Sequence, residues 1–168
     1  MSMGYGDDSL VEPNTARGRD WPTLRQFGVF LENQVGNLSE LLRHLEGHEL
    51  RVMALSIVDS SDCAIVRLML DNYERGHELF KLSRFTVFES DLIGVELPDD
   101  PQPYVSIFKA LLQAELSIQY TYPLIYRNRG RSSIALYVDD VDLGLQTLKD
   151  QGFRIITEND LLDDDEFF

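Results

Sequence analysis

The chain has 168 residues, 43% of them hydrophobic and 26% charged, with a formal net charge of −14. That balance suits a globular protein and argues against nucleic-acid binding, which needs clustered positive charge. No apolar run is long enough to span a bilayer, so no membrane is expected; the lone cysteine, Cys63, excludes an intrachain disulfide and points to the cytoplasm.

Residues 1–24 carry Gly, Asp, Pro, Asn and Arg without a period and read as a flexible arm, with Trp21 and Pro22 able to pack at its end. Gln26–Asn33 alternates, with Phe27, Val29 and Leu31 on one face, and reads as a strand buried on one side. A turn follows over 33–37, where Asn37 or Ser39 can cap a helix. Leu38, Leu41, Leu42 and Leu45 take helical spacing, and Gly47 ends the helix. Strands are predicted over Leu50–Asp59 and Cys63–Leu70, a second helix over Tyr73–Ser83, and a strand over Phe85–Phe88. Cys63 has apolar flanks and reads as a packed thiol rather than a nucleophile.

The order then starts again. Residues 27–31 read FGVFL and residues 93–97 read IGVEL. After strand Leu92–Leu97 and the loop Pro98–Pro103 come helix Tyr104–Ala114, strands Leu116–Ile125 and Ser132–Val138, helix Asp140–Gln151 and strand Phe153–Ile156. A repeat of about 66–69 residues is far longer than a solenoid unit and implies two small domains, 25–90 and 91–160. The last strand of the first should run almost directly into the first strand of the second. Residues 161–168 form an acidic tail ending in Phe167 and Phe168, of the kind that is usually solvated. Each unit is therefore βαββαβ, and the fold class is α+β: two ferredoxin-like units in tandem, each with two helices on one face of an antiparallel sheet.

The segment FGVFLENQVGNLSELLRHLEGHELRV (27–52), with Gly36 and Leu38 after a strand and a short loop, resembles the ACT family of small-molecule-binding regulatory domains. Val35 stands where that family often has Pro. Residues 93–120 follow the same outline, and Leu116-Ser117-Ile118 fits the phrase that opens the family's next strand, but Gln102-Pro103 replaces the Gly. The order of these pieces is similar to stand-alone tandem ACT proteins. The resemblance implies two ACT-like domains that bind an amino acid and regulate by linkage between sites, with no enzymatic activity and no cofactor. It also allows a regulatory subunit that docks to an amino-acid-biosynthesis enzyme, such as an acetolactate-synthase-like enzyme, without a ligand of its own. Exposed sheet edges point to a homodimer.

The candidate ligand residues are Asn33, Gln34, Val35, Gly36, Asn37 and Leu38. Gly36 can take positive φ and leaves backbone amides open. The free N–H groups at the start of the following helix suit a carboxylate, and the side-chain oxygens of Asn33, Gln34 and Asn37 suit an ammonium group. A plain β–α turn is the alternative. In the second loop, Pro101 and Pro103 remove donors, so a ligand is expected on the first loop alone. Tyr120 and Tyr122 share one strand face, with Tyr126 at the same parity. They line either a pocket between domains or a core or subunit interface.

Arg127, Arg129 and Arg131 crowd one turn and read as a solvated cluster, with an acidic ligand or surface as the alternative. His44, His48 and His77 lack the third ligand a structural zinc needs. No nucleophile, phosphate-loop or dinucleotide motif is present, and no catalytic residue is assigned.

Overall fold

The computed structural model describes residues 22–32 and 35–162, Val35 as backbone only. Trp21, Asn33, Gln34, Phe167 and Phe168 lie outside the described residues, as do most of the expected arm and the tail from residue 163. The first unit comprises β1 (Leu24–Glu32), α1 (Val35–Gly47), β2 (Val52–Asp59), β3 (Cys63–Leu70) and α2 (Tyr73–Lys81). Next comes β4 (Thr86–Glu96), then α3 (Pro103–Gln113), β5 (Ile118–Asn128), β6 (Arg131–Val138), α4 (Val141–Asp150), β7 (Ile155–Ile156) and α5 (Glu158–Leu162). Both units are βαββαβ, as the periodicity predicts.

The short connection expected between the units is absent, because β4 belongs to both. Its residues 86–92 pair antiparallel with β1, Ile93–Glu96 pair with β6, and Gly94–Val95 pair with β7. The strand TVFESDLIGVE runs unbroken across the expected boundary at 90/91, through Ser90 and Asp91. The strand order is β2-β3-β1-β4-β6-β5, with β7 beside β4, and the end strands β2 and β5 come alongside one another.

The two ends meet because each sheet has two apolar faces. On β1, Phe27, Val29 and Leu31 turn towards α1 and α2 and join a core with Leu41, Leu45, Val66, Leu68 and Phe80. Ile93, Val95, Ile107, Leu111, Ile134, Leu136 and Leu148 form the matching core beneath α3 and α4. A third core lies between the sheets, where Leu24, Met53, Met69 and Leu92 meet Tyr122, Leu124, Tyr126 and Ala135. The molecule is thus layered helix, sheet, sheet, helix. Each fully buried side chain of this kind contributes about 1.5–3 kcal/mol, so the middle core holds the units as one body. Leu161, which the sequence places in the acidic tail, also packs here at 3% exposure. The boundary at 161 is corrected on that ground.

The repeated glycines of FGV and IGV serve this middle layer. A Cβ on Gly28 would stand 2.1 Å from the Phe88 ring, and one on Gly94 would stand 2.5 Å from Leu24 and 3.0 Å from the Ile156 carbonyl oxygen. Each glycine lets a neighbour lie against the strand backbone.

Candidate functional site

Helix α1 begins at Val35, so Gly36 lies in its first turn and not in a preceding loop. The positive-φ glycines among the described residues are Gly130 and Gly152. Gly36 therefore does not use the left-handed freedom expected of it, because the helix has already started. Its exposure has a different consequence: among the described residues a Cβ there would meet nothing within 4 Å, so the first turn is open on that side of Gly36. That turn contains no acidic residue. Its leading N–H groups lack intrahelical acceptors and carry the positive end of the helix dipole. The Asn37 side-chain amide donates to the Glu32 carbonyl at 3.2 Å and ties the helix start to the end of β1. Its Oδ1 remains to accept. Leu38 leans on the first core and anchors the turn from below.

The second unit treats the same place differently. Helix α3 starts with Pro103, and Gln102 precedes it with no side-chain cap. Asp100 fills the gap: its carboxylate accepts the Gln102 N–H at 2.6 Å and the Ser106 hydroxyl. These two bonds, the Ser106 hydroxyl foremost, hold the Asp100 carboxyl below the ordinary carboxylate range. The loop holds its own carboxylate beside the helix start, and Pro103 has no N–H to offer there, so an external carboxylate meets a negative charge.

Tyr120 and Tyr122 lie between the sheets. Tyr122 Oη donates to Gln26 Oε1 at 2.6 Å, and Gln26 Nε2 donates to Tyr120 Oη at 2.9 Å. Gln26 is fully buried, so one amide joins both hydroxyls across the two units. Burial pushes both tyrosines above their ordinary range, Tyr122 further than Tyr120. Both remain protonated donors. The Arg67 guanidinium stacks on the Tyr120 ring at 3.9 Å, and Tyr137 stacks on Tyr120 at 5.1 Å between centroids. From Gln26 to Glu32, β1 spans about 20 Å. The tyrosines and the α1 start are thus two places, not walls of one pocket. Gln26 carries no assignment in the sequence, because it lies on the strand face opposite Phe27, Val29 and Leu31, which reads there as the outward one.

The remaining candidates are dispersed. Arg131 lies 3.8 Å from Asp99, whereas Arg127 and Arg129 are exposed. His48 Nδ1 meets the His44 carbonyl at 2.8 Å, and His77 pairs with Glu89. Among the described residues no group of His, Cys, Asp or Glu has the geometry to hold a metal. No helix there is long and apolar enough to cross a membrane.

A family model described as an ACT domain pair matches residues 22–163. Among solved structures, protein BT0572 from Bacteroides thetaiotaomicron superimposes with a TM-score of 0.76 at 22% identity, covering 84% of this chain and 97% of that one. The regulatory subunit of aspartate kinase from Thermus thermophilus, in a ligand-free form, gives a TM-score of 0.54 at 12% identity, covering 79% and 95%. At these identities the likeness is one of fold. None of the curated proteins matches the chain in sequence.

Proposed function

The chain belongs to the ACT domain pair family, a regulatory module, and on that premise we propose that it is a non-catalytic sensor that binds an amino acid at Asn33–Leu38. The observation that carries the reading is the open first turn of α1 beside the closed one of α3. The ligand's carboxylate takes the amides near Gly36–Leu38, and its ammonium takes side-chain oxygens from Asn33, Gln34 or Asn37. Tyr120 and Tyr122 act at a distance, as the pins that hold the two units in one arrangement. Regulation follows when the ligand favours one arrangement of units or subunits over another. The cytoplasm, where the half-buried Cys63 thiol stays reduced, is the proposed compartment.

The partner in this reading is a second copy. The end strands β2 and β5 have no outer strand partner among the described residues, and exposed apolar residues lie on them and on the first helix of each unit: Leu55 and Ile57 with Leu42, and Ile125 with Val105 and Leu112. Apolar flanks beside free edges favour burial against another subunit. Sedimentation should show a dimer; a species of one-chain mass at every concentration would count against it.

The same flanks favour one other reading, a subunit that docks to an amino-acid-biosynthesis enzyme without a ligand. Melting the protein against each of the twenty amino acids separates the two. A binder's melting temperature rises with ligand concentration. A flat response to all twenty, with an enzyme co-purifying, would replace the sensor by the docking subunit.

A further inference from the structure

Helix α2 and the first half of β4 enclose a cavity of about 350 Å³ lined by His77, Phe80, Lys81, Phe85, Val87 and Glu89. It lies in the first unit, and none of its lining residues belongs to α1. Its volume falls in the range of small-molecule sites, roughly 300–1,000 Å³. Phe80, Phe85 and Val87 supply an apolar floor; Phe80 belongs to the first core, and the other two pack on it.

The polar groups are arranged unevenly. Glu89 is not a free anion: Oε1 lies 2.8 Å from His77 Nδ1, while Oε2 accepts the Tyr73 hydroxyl at 3.3 Å and lies 3.9 Å from Arg25. A carboxylate against Nδ1 makes that nitrogen the protonated one. In the neutral ring Nε2 is then an acceptor. Lys81 is exposed, and no carboxylate among the described residues reaches it. The cavity thus offers a cation, a ring acceptor held in place by Glu89, and an apolar surface. Among the described residues, β4 between Thr86 and Ser90 pairs with β1 alone, so its outer edge adds N–H and C=O groups without a strand partner there.

We propose that this cavity is a second small-molecule site, for a small acid that carries a hydrogen-bond donor beside its carboxylate and an apolar tail. Lys81 and a β4 edge amide take the carboxylate. His77 Nε2 takes the adjacent amine or hydroxyl hydrogen. Phe80, Phe85 and Val87 receive the tail. An amino acid and the corresponding 2-hydroxy acid share this chemistry, whereas a plain fatty acid lacks the donor. The site needs nothing from residues 33–38 and stands whether or not the α1 start binds a ligand.

Calorimetric titration of the full chain with L-leucine, its 2-hydroxy analogue and 4-methylpentanoate tests the site. L-Leucine, the hydroxy acid or both should bind at least about tenfold more tightly than 4-methylpentanoate. Lys81→Met and His77→Phe should each weaken that binding about tenfold or more, and Gly36→Val should leave it unchanged. Lys81 is exposed, so Lys81→Met should keep the wild-type melting temperature and report on binding alone. His77 ring signals should shift on saturation by NMR in wild type and in Gly36→Val. No saturable binding by any of the three acids up to about 10 mM, or binding untouched by Lys81→Met, would overturn the site. So would loss of all binding in Gly36→Val, because it would assign the ligand to the α1 start.

Discussion

In the first unit the strand-to-helix passage ends on Gly36, with open space where a Cβ would stand and no acid in the first turn. In the second it ends on Pro103, and Asp100 has already taken the Gln102 N–H and the Ser106 hydroxyl. The two passages sit at equivalent points of a repeated fold, yet the second carries a carboxylate bonded to its own Gln102 N–H and Ser106 hydroxyl, and the first has no acid in its helix's first turn. A repeat preserves the packing of its elements because every core residue is constrained by neighbours. It does not preserve a loop, whose residues answer only to local bonding. The fold is thus doubled while the chemistry of the two passages is not.

The comparison presumes that both units are held as one body, and Gln26 tests that most severely. Gln26→Leu strands the buried Tyr122 hydroxyl, at a cost of about 2 kcal/mol, or a melting drop of roughly 5 °C for a chain of this size. Calorimetry should show one transition, lowered as a whole. A second transition, with one unit melting at the wild-type temperature, would mean that the halves are independent and that the loops cannot speak to one another through the middle layer.

A smaller free-energy effect is expected at the open loop itself. At the α1 start, Gly36→Val should weaken amino-acid binding at least about tenfold, or 1.4 kcal/mol, by filling the proposed approach, while binding in the cavity beside α2 holds. Melting of the unliganded protein should hold, because the new side chain enters open space and Val costs no more than Gly in a helix. Gln102→Ala should leave binding intact. Equal losses in both variants would erase the distinction between the loops.

The least effect belongs to the closed loop. Asp100 is fully exposed and its carboxyl is held low by the Ser106 hydroxyl and the Gln102 N–H. A depressed folded-state value means that its contribution is present above the unfolded-state value and is lost as pH falls through the folded one. Asp100→Ala should therefore lower the melting temperature slightly at neutral pH, and the gap from wild type should close in acid, as pH falls through the depressed folded-state value. A gap that persists there would show that the carboxylate is not what closes the second loop.

Much of this was legible in the residues. Phe27, Val29 and Leu31 alternate, and Leu38, Leu41 and Leu45 return every turn; those local periods are enough to identify strand and helix. The IGV echo of FGV marked the repeat, and Pro101 and Pro103 marked the second loop as poor in donors. Gly36 reads in the sequence as a loop glycine with positive φ, but it lies in the first turn of α1 without that conformation, since a glycine's φ depends on whether the helix has yet begun. Tyr120 and Tyr122 were placed on one face, but the face alone did not say what their hydroxyls meet.

The sequence by itself determined two βαββαβ units, their order, and the apolar face of each element, because those follow from side-chain spacing within a few residues. Tertiary structure alone decided that β4 is one strand serving both units, that the sheets close face to face, and that Gln26 binds a tyrosine 96 positions away. It also decided that Asp100 turns back onto its own helix start. Each of these is a choice among partners, and a partner distant along the chain leaves no period in the sequence.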